Sequence, residues 1–238
     1  MRPKIICHMI ASIDGRLLTD RWTPPVDGTD DAQLFAHYDA VAERFGADGW
    51  MAGRKSMEEY TGVPGRGTQA AGPIPRDIHV AERKGRAVGV ALDPHGKIHY
   101  GGDNAHGDHV IAILGEDVSD DYLAELREDG VSYVFAGADG RDLPLALERL
   151  GQYFGLQTLI LQGGGVVNGA FLQAGLIDEI SVLVYPGIDG LAGVPSIFEY
   201  LGESHEKPAS GKALRHLATE TLAGGVVWLH YRVERVEG

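Results

Sequence analysis

Apolar and polar positions follow two different periods along this chain, and the switches between them outline its elements. Residues 3–11 (PKIICHMIA) form an apolar, β-branched run, the pattern of a buried strand. Asp14-Gly15 breaks it, and residues 16–29, which contain Trp22, Pro24, Pro25 and Gly28, read as a loop. Asp30-Asp31 can then cap a helix whose apolar residues Leu34, Phe35, Tyr38, Val41, Ala42 and Phe45 recur at spacings of one, three and four. Gly46 and Gly49 close it. A short strand at 50–52 runs into a helix over 55–60. Residues 62–77 (GVPGRGTQAAGPIPRD) are so rich in glycine and proline that a mobile loop is expected. The pattern then predicts strands at 86–92 and 108–114, a helix at 119–128, a strand at 131–136, a helix at 143–154, a strand at 156–161, a short helix at 166–172 and a strand at 180–185. Leu214, Leu217 and Thr219 precede a turn at Gly224-Gly225, and 226–233 (VVWLHYRV) closes the chain, which predicts an antiparallel hairpin. Strands and helices interleaved throughout imply an α/β sheet, and no linker-like stretch divides the 238 residues, so a single domain, 1–238, is expected.

Charge and cysteine usage narrow the function. With 34 acidic and 21 basic side chains the formal charge is −13, which repels phosphate backbones and excludes nucleic acid as a general partner. Cys7 is the one cysteine, so no internal disulfide is possible; a reducing cytoplasm fits, and the paired cysteines of a zinc deaminase are ruled out. No apolar run approaches about 18 residues, which argues against a membrane span or secretory leader. Glycine is in excess: 34 of 238, about twice the usual share.

Some of these glycines carry chemistry. Leu159-Ile160-Leu161-Gln162-Gly163-Gly164-Gly165-Val166-Val167-Asn168 sends an apolar strand through three glycines into a helix. Such a turn presents backbone N–H groups where the helix dipole favours a phosphate, and bare backbone lets a pyrophosphate approach. The spacing is not the dinucleotide fingerprint, since Asn168 stands where its third glycine would be, and no P-loop Gly-Lys-Ser/Thr follows. Trp50-Met51-Ala52-Gly53-Arg54-Lys55-Ser56 is a second strand–glycine–helix turn, here with two cations at a helix start that a bound anion would explain. Two such turns suggest a dinucleotide. Asp14-Gly15 alone is an ordinary turn. His95, His99, His106 and His109 match no metal-ligand spacing, so no metal is expected. Serine-hydrolase chemistry lacks its Gly-x-Ser-x-Gly elbow. Cys7 inside a strand reads as packing, and Glu125, Arg127, Glu128, Glu148 and Arg149 read as solvated helix faces.

Taken in order, Ile10-Ala11-Ser12-Ile13-Asp14-Gly15-Arg16, Ala47-Asp48-Gly49-Trp50-Met51-Ala52-Gly53-Arg54-Lys55-Ser56, Gln162-Gly163-Gly164-Gly165 with Leu176-Ile177-Asp178-Glu179, and Gly224-Gly225-Val226-Val227-Trp228-Leu229-His230-Tyr231-Arg232 resemble the dihydrofolate-reductase-like superfamily. The likeness is nearest to the reductase domain of the riboflavin-pathway deaminase-reductases. It implies a mixed, mostly parallel sheet flanked by helices, a homodimer, and NADPH as hydride donor to a C=N or C=O group of a small heterocyclic or sugar-derived substrate. It further implies that Gly53, Arg54 and Ser56 meet the adenosine side and phosphates of NADPH. Ala11, Gly163, Gly164, Gly165, Val166 and Asn168 would complete the cofactor contacts, and Asp14 would lie near nicotinamide and substrate. Two positions depart from that family: His8 replaces its usual lysine and Gln162 its usual glutamate. His8, Asp14 and Gln162 are therefore the candidate catalytic residues, with the proton supplied either by His8 or by water. The alternatives are a pterin or carbonyl reductase of the same fold and a dinucleotide-binding protein without turnover.

Overall fold

The structure, a computed structural model, describes residues 1–26, 28 and 30–236. The chain builds two compact units, one from 1–3 and 48–159 and the other from 4–47 and 160–238. It crosses between them at 3–4, 47–48 and 159–160, none of them a linker-like stretch.

In the first unit, β2 (Gly49–Gly53), β3 (Val88–Leu92) and β5 (Asp108–Leu114) are parallel neighbours, with Gly53 opposite Leu92. The short β4 (Asn104–Ala105) turns back antiparallel onto β5, which also pairs with parallel β6 (Ser132–Phe135). The helices are α2 (Arg54–Thr61), α3 (Asp120–Asp129) and α4 (Leu143–Phe154). Ser119 caps α3 by accepting from Tyr122 N–H, and Gly130, at φ 74°, ends it. Met57, Ile98, Val110, Leu123, Tyr133 and Phe135 fill the core.

The second unit holds β1 (Lys4–Ser12) parallel to β8 (Glu179–Tyr185), then antiparallel β10 (Val227–Arg235) and β9 (Lys212–Thr221). β7 (Thr158–Leu161), within which the chain crosses from the first unit, leads to α5 (Gly165–Gln173), and α1 spans Asp31–Glu43. Asp30 caps α1 by accepting from Gln33 N–H, as its position predicts. The side chains of Asp31 and Leu34, assigned by sequence to that helix start and its apolar side, lie outside the described residues, as do Asp27 and Thr29 in the loop before it. Val41, Leu183, Tyr185, Val226 and Trp228 form the core under Tyr38 and Phe45. The fold class is thus mixed α/β with mostly parallel strands and a C-terminal antiparallel pair: the alternating pattern predicts the α/β class and the hairpin, and the resemblance implies the mostly parallel sheet.

The segment expected to be mobile, 62–77, is fastened, and so is the loop read at 16–29. Along 62–77, Arg66 pairs with Asp129 and Arg76 with Asp120, both on α3, and Ala70 N–H donates to Asp121. In the 16–29 segment, Arg21 forms a two-pronged pair with Asp189 at 2.7 and 3.0 Å. Glu125 is also not a solvated charge: it is buried, 2.7 Å from His99 Nδ1.

Candidate active site

The parity of β1 decides which of its residues can act together. Side chains of a strand point alternately to opposite faces. Met9 lies on the face that meets the glycine turn: a Cβ built on Gly163 would come within 3.1 Å of its sulfur. Ala11, two residues on, shares that face; its side chain is buried. His8 points the other way, towards α1. Its ring stacks on Tyr38 with centroids 4.2 Å apart, and its exposure is 0%.

Both ring nitrogens of His8 are committed. Nε2 lies 3.0 Å from the Tyr38 carbonyl oxygen, which can only accept, so the proton sits on Nε2. Nδ1 then accepts from the Ser181 hydroxyl at 2.9 Å, and Ser181 Oγ itself accepts from Trp228 Nε1–H at 2.8 Å. The Tyr38 hydroxyl returns a bond to the His8 carbonyl oxygen. Burial, helped by the nearby His230 and opposed by the Tyr38 bond, pushes the His8 pKa down to about 4. His8 is therefore a neutral, satisfied core residue, a correction to its candidacy as proton donor.

Asp14 sits in the turn after β1, where Gly15 takes φ 76°. Its Oδ1 accepts from the Ser12 hydroxyl at 2.7 Å and from Asp189 N–H at 3.2 Å, and its Oδ2 from Gly190 N–H at 2.9 Å. The Ser12 hydroxyl and the Gly190 N–H are the main reasons its carboxyl is held down at about 2. It is ionised at neutral pH and holds no proton to give.

The three glycines differ. Gly163 has φ 83°, a backbone that favours glycine, and its peptide bond to Gly164 is cis. Gly165 is required by the protein itself, since a Cβ there would lie 2.2 Å from the Ser196 carbonyl oxygen. Gly164 has ordinary extended dihedrals (φ −70°, ψ −164°), and a Cβ there would meet nothing within 4 Å. No internal contact explains why Gly164 is bare. It is the N-cap of α5, and no side chain caps that helix, so its first N–H groups are left for a ligand or solvent. Val166 beside it is 44% exposed. Gln162 is half-buried directly after β7. Asn168 is fully buried and donates from Nδ2 to the Ile197 carbonyl, so it fastens the 195–199 segment rather than opening to solvent.

The first unit carries the other glycine turn. Gly53 is the N-cap of α2, and Ser56 is half-buried in the first turn. Arg54 Nη1 is already paired with Glu58 at 2.7 Å, so its charge has a partner within the helix. Such an exposed pair contributes little and yields readily to a phosphate.

The same unit contains a serine, a histidine and an aspartate in hydrolase-like contact. His109 Nε2 is 2.8 Å from Ser132 Oγ, and its Nδ1 is 3.0 Å from Asp103 Oδ2, with Arg86 paired to that carboxylate. Ser132 and His109 are both fully buried, and Ala81 N–H also donates to Ser132 Oγ. No substrate carbonyl can reach this serine, so the trio ties β5, β6 and residues 79–81 together. His99 is spent on Glu125 and His109 on Asp103, and no metal-holding group of His, Cys, Asp and Glu occurs among the described residues. Cys7 is buried, which pushes its thiol pKa up and keeps it unreactive.

Comparison with known proteins places these features in context. The family model described as the RibD C-terminal domain matches residues 3–228. Two curated relatives bear the name 2,5-diamino-6-ribosylamino-4(3H)-pyrimidinone 5′-phosphate reductase. The protein from Methanothermobacter thermautotrophicus is 28% identical over 80% of this chain and 81% of its own length. That from Kluyveromyces lactis is 27% identical over 81% and 76%. Among solved structures, a pyrimidine reductase-like protein from Corynebacterium diphtheriae superposes with a TM-score of 0.65 at 17% identity, covering 98% of this chain and 92% of its own. A deaminase/reductase from Thermotoga maritima gives 0.57 at 16%, covering 97% and 56%. Among the described residues no helix is long and apolar enough to cross a membrane.

Proposed function

The chain belongs to the RibD C-terminal domain family, and from that premise we propose that it is an NADPH-dependent reductase delivering a hydride to a C=N or C=O carbon of a ribosylaminopyrimidine 5′-phosphate, the substrate class in the names of its curated relatives. When bound, the dihydronicotinamide supplies the hydride. The observation that carries the reading is Gly164, bare beside the uncapped start of α5 with nothing of the protein near its missing Cβ. Gly163, Gly164, Gly165 and the exposed Val166 line the pyrophosphate, with Ala11 on the β1 face towards them and Asn168 holding the turn from beneath. Gly53, Arg54 and Ser56 serve the adenosine side. Gln162 orients substrate through its uncharged amide.

Reduction also consumes a proton at the substrate nitrogen or oxygen. Water supplies it in this reading, because His8 is enclosed and low in pKa and Asp14 is ionised. The protein acts as a homodimer: β8, β10 and β9 leave Val182, Val184, Leu229 and Leu214 half-buried or exposed along one face. Its lone buried thiol suits a reducing cytoplasm.

Turnover of NADPH with the ribosylaminopyrimidine 5′-phosphate tests the reading; binding without oxidation, across pyrimidine, pterin, quinone and carbonyl substrates, would leave only a dinucleotide-binding protein. Arg54→Ala should weaken NADPH by about tenfold while leaving NADH unchanged, the loss of one charge-assisted phosphate contact. Equal losses for both nucleotides would remove Arg54 from the 2′-phosphate.

A further inference from the structure

Backbone and side-chain groups of residues 13–23 hold residues 187–195 of the segment 187–199. Ile13 N–H donates to the Gly187 carbonyl and Thr23 N–H to that of Ile188. Asp14 receives the N–H groups of Asp189 and Gly190. Asp189, whose side chain is fully buried, is gripped by Arg21 and also accepts from Leu191 N–H. Leu17 N–H donates to the Pro195 carbonyl, and Arg16 Nη1 to that of Val194 at 2.7 Å. The far end is seated on the glycine turn. Glu199 N–H donates to the Gly165 carbonyl at 2.9 Å, Asn168 reaches the Ile197 carbonyl, and the Ser196 carbonyl packs where Gly165 has no Cβ.

Nothing in this arrangement asks Asp14 to touch a reactant. Both of its oxygens are taken, and what they hold is backbone of the segment whose other end abuts the start of α5. Arg21 holds the same segment through the Asp189 carboxylate. We infer that residues 187–199 form a strap walling the substrate side of the glycine turn, and that Asp14 and Arg21 are positioning residues that set it. This rests on the glycine turn being the cofactor site of the reductase proposed above. The strap presents Ile188 and Leu191 outward, at 48% and 53% exposure, as apolar surface for the substrate ring.

The test compares Asp14→Asn and Arg21→Ala with the wild-type protein by hydrogen exchange and by steady-state kinetics across pH. Exchange in peptides covering 187–199 should accelerate by about tenfold or more in both variants, while β1 and β8 keep their protection. With the ribosylaminopyrimidine 5′-phosphate, kcat/KM should fall by a similar factor in both, with the limbs of the pH profile unmoved. Unchanged strap exchange in both variants overturns the inference. So does a loss of activity confined to Asp14→Asn, or a missing pH limb, since either makes Asp14 a participant in the chemistry. If Asp14→Asn does not fold, Arg21→Ala decides alone. A wild-type protein that turns over no substrate defeats the reductase reading, whereas the exchange result still decides whether Asp14 and Arg21 set the strap.

Discussion

Gly164→Ala should fold as well as the wild-type chain and bind NADPH at least about tenfold more weakly, a loss of about 1.4 kcal/mol or more. The backbone at Gly164 is one any residue adopts, and the new methyl would meet no protein atom within 4 Å. It would stand instead at the start of α5, where the pyrophosphate is assigned. Gly165→Ala should behave in the opposite way. Its methyl would be driven 2.2 Å from the Ser196 carbonyl oxygen, and such overpacking costs roughly 1–3 kcal/mol of stability. Thermal unfolding and a fluorescence titration of each variant separate the two effects. A Gly164→Ala protein with wild-type affinity would remove the phosphate from this turn.

Acidification should unfold the protein partly through His8. Its folded pKa of about 4 lies below the unfolded value of 6.5, so the unfolded chain takes up the proton first. The stability from keeping His8 neutral is complete above pH 6.5 and is lost as pH falls towards 4. At about 1.4 kcal/mol per unit, the full loss is on the order of 3 kcal/mol. The main cause is burial: a second proton would place a charge on a ring with no exposure to water, with His230 nearby adding to the penalty. His79 and His109 are also lowered, mainly by burial, and add loss of the same sign. Urea unfolding at pH 7 and pH 4.5 should therefore show a smaller acid loss in His8→Gln than in the wild-type protein. An identical loss in both would mean that His8 is not the buried neutral group described.

Much of the fold was legible because each element keeps its own period. The helices at 119–128 and 143–154 and the strands at 108–114 and 180–185 fall within a few residues of α3, α4, β5 and β8. The two-residue β4 is too short to carry a period. The face of His8 was hidden for a related reason: in a strand buried on both sides, an all-apolar run does not reveal which way one polar residue points. The glycine turn was legible as a turn, but the need for Gly165 comes from Ser196, 31 positions later, and no local pattern reports that. The fastening of 62–77 could have been suspected from charge, since Arg66 and Arg76 face an α3 that begins Asp120-Asp121 and ends Glu128-Asp129. The strap at 187–199 has no periodicity, and Asp14 looked like an ordinary Asp-Gly turn because its partners, Asp189 and Gly190, are remote in sequence.

The central claim is that hydride passes from a bound dihydronicotinamide to a ribosylaminopyrimidine 5′-phosphate on this protein. The direct measurement is mass spectrometry of the product formed from NADPH carrying deuterium at both positions of the transferring carbon. One deuterium fixed on a carbon of the product, absent when protein is omitted, is the predicted result. Product without deuterium, or NADPH left unoxidised beside intact substrate, would contradict it.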